Sequence, residues 1–278
     1  MPEGPEIRRA ADRLAAAVAG QTLRRAEFAF PQLKRFEREL PGSRIVSITA
    51  RGKALLTAFD SGWTLYTHNQ LYGVWKVAAP GERPDTARSL RVALETPRAA
   101  ILLYSASEIE MWRSDEIAAH PFLQALGPDV LDPSLSADAV AARLDSPAFR
   151  RRALGGLLLD QGFLGGLGNY LRAEVLWDAG LHPATRPAEL DTAQRHRLAQ
   201  ALLSIPRLSY STRGVEPAPG MRADLIAHEG ERFRFHAFKR EGLGCGRCGT
   251  PIERGSAHSR PMFLCPNCQP APRGGHGA

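Results

Sequence analysis

The sequence predicts a mixed α+β protein of several domains: an N-terminal β-sandwich led by one helix, a helical domain, and a C-terminal four-cysteine zinc finger. Three observations carry this. Short alternating or apolar runs, bounded by Gly, Pro, Asp and Ser, fill the chain up to about residue 112. Beyond about residue 125 the apolar spacing changes to that of helices. All four cysteines lie between positions 245 and 268.

The leading helix follows from Ile7, Ala10, Ala11, Leu14, Ala15 and Val18, with Pro5 suited to its first turn and Gly20 to its stop. The runs LRRAEFAF, RIVSITA, ALLTAF, WTLYTH, VWKVA, LRVALET and AILLYS read as strands. Many short strands with turn signals argue for a sandwich or barrel. HPFLQALGPDVL, with Pro121, Gly127 and Pro128, reads as a linker. SADAVAARL, PAFRRRALGGLLLDQ, NYLRAEVLWDAG and TAQRHRLAQALLSI then carry helical periods. VEPAPGMRADLIAHEGE reads as a flexible loop, and QPAPRGGHGA as a disordered tail. The expected domain limits are 2–124 for the β-sandwich and 125–214 for the helical domain. A loop and connector over 215–234, the finger over 235–269 and the tail over 270–278 complete the chain.

The 278 residues include 36 Lys and Arg against 29 Asp and Glu, a net charge of +7 that suits a polyanionic partner or simply a basic soluble protein. Between Arg232 and Arg260 the bases are Arg232, Arg234, Lys239, Arg240, Arg247, Arg254 and Arg260, against the acids Glu241 and Glu253. The excess is therefore concentrated late in the chain. No apolar run is long enough to span a membrane. The acidic, proline-broken start lacks the basic flank and apolar stretch of a secretory signal, so the expected location is the cytosol.

Cys245, Cys248, Cys265 and Cys268 form two CxxC pairs, CGRC and CPNC, separated by sixteen residues. This spacing reads as a tetrahedral structural Zn²⁺ site with no open position for catalysis. The metal replaces a core that so short a segment cannot build. Iron or a redox dithiol are the lesser alternatives. Between the pairs, Arg260 is expected on a β-turn, either contacting phosphate or as a solvated surface arginine.

GFLGGLGNYLRAEVLW places four glycines before a helix, with Asn169 near its first turn. Glycines allow close backbone approach, and a helix start offers free N–H groups to an anion such as a DNA phosphate. An ordinary helix–turn–helix corner with an Asn cap is the other reading. Arg150, Arg151 and Arg152 are expected on the preceding helix, where a plain solvated face is the other reading.

MPEGPE raises two readings as well. It can cap the first helix. Alternatively, loss of Met1 before the small Pro2 would free a secondary amine, able to attack a sugar aldehyde carbon and form an iminium. Glu3, covalently adjacent, could then donate and accept protons.

The combination of PEGPEIRRAADRL, RGKALL with Lys53, GLGNYLRAE and a four-Cys finger containing SRP, in this order, closely resembles the formamidopyrimidine-DNA glycosylase / endonuclease VIII family. The resemblance runs from residue 2 to about 269. FAFPQLK, THNQLYGVW, LLYSASEIEMW and GPDVLDP look specifically like its bacterial endonuclease VIII branch. It implies a helix–two-turns–helix motif in the helical domain, one structural zinc ion, and damaged double-stranded DNA as partner of a monomer in the bacterial cytosol or nucleoid. It implies that Pro2 attacks C1′ of the damaged nucleotide and that Glu3 donates the proton assisting base loss and sugar ring opening. Lys53 would contact phosphate and serve β-elimination, and Arg260 would grip phosphates and serve δ-elimination. Asn169 would bind phosphate, and Glu6 would be a second acid near the active site. Gln70, Leu71 and Tyr72 would fill the hole left by a flipped base, a task that suits an apolar and aromatic wedge; a plain strand end is the other reading. The QLY triplet favours oxidised pyrimidines over oxidised purines such as 8-oxoguanine or formamidopyrimidines. A non-catalytic, zinc-stabilised DNA-binding relative is the alternative from a different class, and RNA binding has no motif behind it. Ala125 departs from the branch, which is expected to carry a DNA-binding arginine there; Arg88 or Arg91 could replace that contact.

Overall fold

The computed structural model describes residues 2–212, 214–216 and 232–272. Met1, most of the 215–234 connector and residues 273–278 lie outside it, and with them the expected removal of Met1, most of the flexible loop and the end of the tail. The described chain forms two compact units. Pro2 and Glu6–Ala125 belong to the first, Glu3–Pro5 and the chain from Leu126 onward to the second.

In the first unit, α1 spans Gly4–Val18 and is followed by β1 (Arg25–Phe28), a one-turn helix α2 (Phe36–Glu39), β2 (Ile45–Arg51), β3 (Ala54–Phe59) and β4 (Trp63–His68). Then come β5 (Val74–Ala78), β6 (Leu90–Glu95), β7 (Ala100–Tyr104), β8 (Glu108–Arg113) and the short α3 (Pro121–Gln124). The strands make two antiparallel four-stranded sheets, ordered β1-β6-β7-β5 and β2-β3-β4-β8. Ile7, Ala11, Leu14 and Val18 share one buried core with Phe28, Ile45, Leu65, Val92 and Leu103. Burying each of the larger side chains contributes roughly 1.5–3 kcal/mol. The helical spacing of α1 and the alternation in the strands converge on that core.

One strand escaped the sequence reading. β8, EIEMWR, has a burial pattern in which Ile109 faces in while Glu108 and Glu110 do not. It is an edge strand, and acidic side chains there discourage pairing with a foreign strand. The same charges hide it from a search for apolar runs.

The second unit contains α4 (Ala137–Asp145), a single turn α5 (Leu154–Leu157), α6 (Asn169–Ala179) and α7 (Thr192–Ser211). Two short strands, β9 (Gly214–Glu216) and β10 (Arg232–Arg234), pair in parallel, and β11 (Glu253–Ala257) with β12 (Arg260–Leu264) forms the finger hairpin. Arg150, Arg151 and Arg152 do not lie on a helix: they occupy a turn between α4 and α5. Helix α7 runs through Pro206 to Ser211, beyond the run TAQRHRLAQALLSI that marks it in the sequence. Pro206 is buried, so packing offsets the backbone hydrogen bond that proline removes. Helix α6 is buried almost throughout, against Leu157, Leu198 and Leu202 of the same core. Among the described residues no helix is long and apolar enough to cross a membrane.

Candidate active site

In the first unit, Pro2 is half-buried ahead of α1. Glu6, in the first turn of that helix, is buried and accepts from Nη2 of Arg9 at 3.0 Å. Lys53 is half-buried in the turn between β2 and β3. It acts on His68 at the end of β4, whose pKa is lowered by burial and by Lys53 against the opposing pull of Glu108. The QLY triplet follows after Asn69. Leu71 and Tyr72 stand 54% and 66% exposed, among the few large apolar side chains left in solvent. The turn closes where the Gly73 N–H donates to Asn69 O at 2.8 Å. A Cβ on Gly73 would lie 2.6 Å from that oxygen, so glycine is required there.

In the second unit, the N-terminus of α6 holds Glu3. The carboxylate oxygens accept from the backbone N–H of Tyr170 at 2.9 Å and of Leu171 at 3.2 Å. These amides are orphan donors at a helix start, where the helix dipole also favours a negative charge. Gly168, the N-cap, has no side-chain cap bond of its own, and a Cβ on it would overlap the Glu3 carboxylate. The anion at this helix start is therefore the protein's own acid. This corrects two sequence readings: these two amides are not open to a phosphate, and Asn169 is the first helical residue rather than the cap.

Asn169 instead binds sideways. Its Nδ2 donates to Pro261 O at 3.1 Å, and its Oδ1 accepts from Arg172 at 2.7 Å. Arg172, wholly buried, also donates to Gly155 O (2.7 Å), Ala257 O (3.1 Å) and Pro261 O (2.9 Å). Burial draws its pKa down to about 10, with Glu3 opposing and Arg260 adding to the shift, so it keeps its charge near neutrality. Ala257 and Pro261 bracket the finger turn, where His258 and Ser259 both have positive φ (55° and 59°). That is the two-residue geometry matching the twist of a β-hairpin. Arg260 is exposed and pairs across the turn with Ala257; it is the first residue of β12 rather than part of the turn tip.

The four cysteine sulfurs lie within 4.8 Å of one another. Cys248–Cys265 and Cys268–Cys248 are 3.5 Å apart and Cys245–Cys268 is 3.9 Å. A tetrahedron of Zn–S bonds near 2.3 Å requires about 3.8 Å between sulfurs. Hydrogen bonds from Thr250 and then Asn267 draw the Cys248 thiol down to about 5. Backbone N–H groups of Arg247 and Cys268 reach Cys245 and Cys265 at 3.5 and 3.4 Å. The residues fit one structural zinc ion.

Three family profiles cover most of the chain: the formamidopyrimidine-DNA glycosylase N-terminal domain over residues 1–106, the H2TH domain of the same enzyme over 126–214, and the zinc finger found in FPG and IleRS over 242–271. The chain is 57% identical to Endonuclease 8 of Enterobacter sp. (strain 638) over 269 residues, 97% of this chain and all of that one. Against Endonuclease 8 of Escherichia coli O17:K52:H18 it is 55% identical over the same length. The chain belongs to the formamidopyrimidine-DNA glycosylase / endonuclease VIII family. A solved complex of Lactococcus lactis Fpg with DNA containing N7-benzyl-Fapy-dG shares the fold, with a TM-score of 0.81 at 21% identity over 97% of this chain and all of that one.

Within this family framework, the first unit carries Pro2, Glu6, Lys53 and Gln70–Tyr72, and the second carries Glu3, Asn169, Arg260 and the cysteines. Two further residues were missed by the sequence reading. Arg172 is one. The other is Glu174, whose carboxylate accepts from the N–H groups of His236, Ala237 and Phe238 at 2.8, 2.9 and 2.8 Å, holding the segment that leads into the finger. Their signal was present: YLRAEVLW is apolar on every side, so a charge within it has to be buried and partnered. Of the two arginines considered in place of one at position 125, Arg88 donates to Tyr72 O at 2.7 Å and Arg91 lies over the Phe30 ring at 5.4 Å. Ala125 ends α3 with its N–H on Pro121 O.

Proposed function

We infer that this protein is a bifunctional DNA glycosylase and AP lyase of base excision repair that removes oxidised pyrimidines. The observation that carries the inference is the fixed Glu3 carboxylate, oriented by Tyr170 and Leu171 one residue after Pro2. An acid placed by two amides keeps its reach to the preceding residue's amine, and orientation of this kind is worth several powers of ten in rate. With Met1 removed, the Pro2 amine attacks C1′ and displaces the damaged base, while Glu3 delivers the proton needed for base loss and sugar ring opening. The resulting iminium makes the sugar prone to β-elimination, assisted by Lys53, and then to δ-elimination, assisted by Arg260. Asn169 and Arg260 contact phosphates, Glu6 supports the acid chemistry, and the Gln70–Tyr72 triplet fills the vacated space in the duplex. The Endonuclease 8 relatives and the QLY triplet support pyrimidine over purine lesions. The reading includes a monomer working in the bacterial cytosol on nucleoid DNA.

Borohydride trapping on a duplex with a single thymine glycol tests this. A covalent adduct formed by the native protein and lost in Pro2→Gly is expected. Trapping only on 8-oxoguanine duplexes would move the substrate class to purines. Trapping on neither, nor on a bare abasic site, would leave a DNA-binding relative without the chemistry.

A further inference from the structure

The QLY triplet begins on a left-handed backbone. Gln70 has φ of 49°, a left-handed conformation that residues with a side chain rarely adopt without support. Its support is complete. The side-chain Nε2 donates to Glu108 Oε2 at 3.0 Å, and Oε1 accepts from the Ser107 hydroxyl at 2.7 Å. Its backbone N–H donates to Nδ1 of His68 at 3.2 Å. On the other side, Arg88 grips the Tyr72 carbonyl at 2.7 Å. Between these anchors Leu71 and Tyr72 project into solvent.

Glu108 is the hub of this arrangement. Its other oxygen accepts from the Tyr66 hydroxyl at 3.0 Å, and it lies 3.8 Å from His68 Nδ1. Tyr66 is itself buried and stacked on His120 at 3.9 Å, so the carboxylate is referenced to the rigid interior of the sheet rather than to the loop. A side chain amide held at both ends can transmit that rigidity to the backbone it belongs to.

We propose that Ser107 and Glu108 are positioning residues for duplex lesions: by holding the Gln70 amide they keep Leu71 and Tyr72 poised to enter the base stack. The proposal rests on the reading of the triplet as the wedge. It separates the triplet into a root, Gln70, and a blade, Leu71 with Tyr72. A blade on a loose root would have to be ordered during each encounter, which lowers apparent affinity for the duplex. A single strand leaves no stacked hole to fill, so the brace is irrelevant there.

The experiment compares the full-length native protein with Ser107→Ala and Glu108→Ala. Ser107 is exposed, so Ser107→Ala tests the brace without threatening the fold. Hydrogen exchange at the amides of 71–73 is expected to quicken about tenfold in both, the equivalent of one hydrogen bond. Processing of a lesion in duplex DNA is expected to fall about tenfold through KM, while cleavage of an abasic site in a single strand stays within about twofold. Glu108→Ala should add nothing to Gln70→Ala, because both remove the contact between Gln70 and Glu108. Unchanged exchange in both variants overturns the proposal, as does an equal loss on duplex and single strand, or additive effects in the double variant. Leu71→Ala reports on the wedge reading separately: if it leaves duplex processing intact, the wedge reading falls and takes the brace's role in lesion processing with it, even where exchange shows that the loop was held.

Discussion

Gly168 shows how a single atom can decide a site. The glycine-rich run before α6 invites a phosphate, yet the closest approach belongs to Glu3, whose carboxylate occupies the space a Cβ would need. Gly168→Ala is therefore expected to displace Glu3 and lower base excision about 100-fold, with zinc content unchanged. Wild-type excision by this variant would show that the orientation of Glu3 is unimportant. Glu174 is a second residue-scale case. It is wholly buried, and desolvation raises its pKa from 4.5 to about 7 against the three backbone N–H bonds that favour the carboxylate. The folded form thus holds a proton that the unfolded form releases between these values. Its contribution to stability is present below about pH 4.5 and is lost as the pH rises through about 7. Unfolding free energies of the wild type and Glu174→Gln, followed from pH 4.5 to 7.5, should differ with that slope. A pH-independent difference would mean that Glu174 is ionised across this range.

At the scale of elements, the finger hairpin is tied to α6 by one buried arginine. Arg172 donates to carbonyls on both sides of the His258–Ser259 turn and also orients Asn169. Removing this donor leaves buried neutral acceptors unsatisfied, at a cost of about 1–3 kcal/mol each. Arg172→Met is expected to lower the melting temperature of the second unit and to weaken DNA binding, because Arg260 and Asn169 lose their common support. Retention of full affinity would place the hairpin's support elsewhere. The sequence reading marked Arg260 and Asn169 but not the residue between them and the turn. Propensity and spacing locate a helix, whereas the partner of a buried charge on it comes from a segment some ninety residues away.

For the whole molecule, the finger's small core of Trp177, Ala237, Ile252 and Phe263 includes two of its metal-binding cysteines, while the sandwich core, among the described residues, is built from Ile7 to Met111. Removing zinc should therefore unfold the finger and abolish tight DNA binding while the β-sandwich keeps its own thermal transition. A single cooperative loss of both would show that the metal supports the entire chain. With a net charge of +7, affinity for DNA is also expected to fall by about 10³–10⁵ between 50 and 200 mM salt if six to ten phosphates are contacted. A flat salt response would argue against a phosphate-dominated interface.

What the sequence determined by itself was whatever depends on local order: the amphipathic α1, the strands built from apolar runs, the metal site spaced by two CxxC pairs, and the motifs that identify the family. These are set by neighbours a few residues apart. The edge strand β8 was hidden because its charges serve the edge, and α7 outran its proline because burial outweighs one lost hydrogen bond. Tertiary structure alone decided which anion sits at the start of α6, which arginine carries the finger hairpin, and what holds Gln70 in a left-handed turn. In each case a polar group meets partners distant in sequence, and burial makes the pairing obligatory.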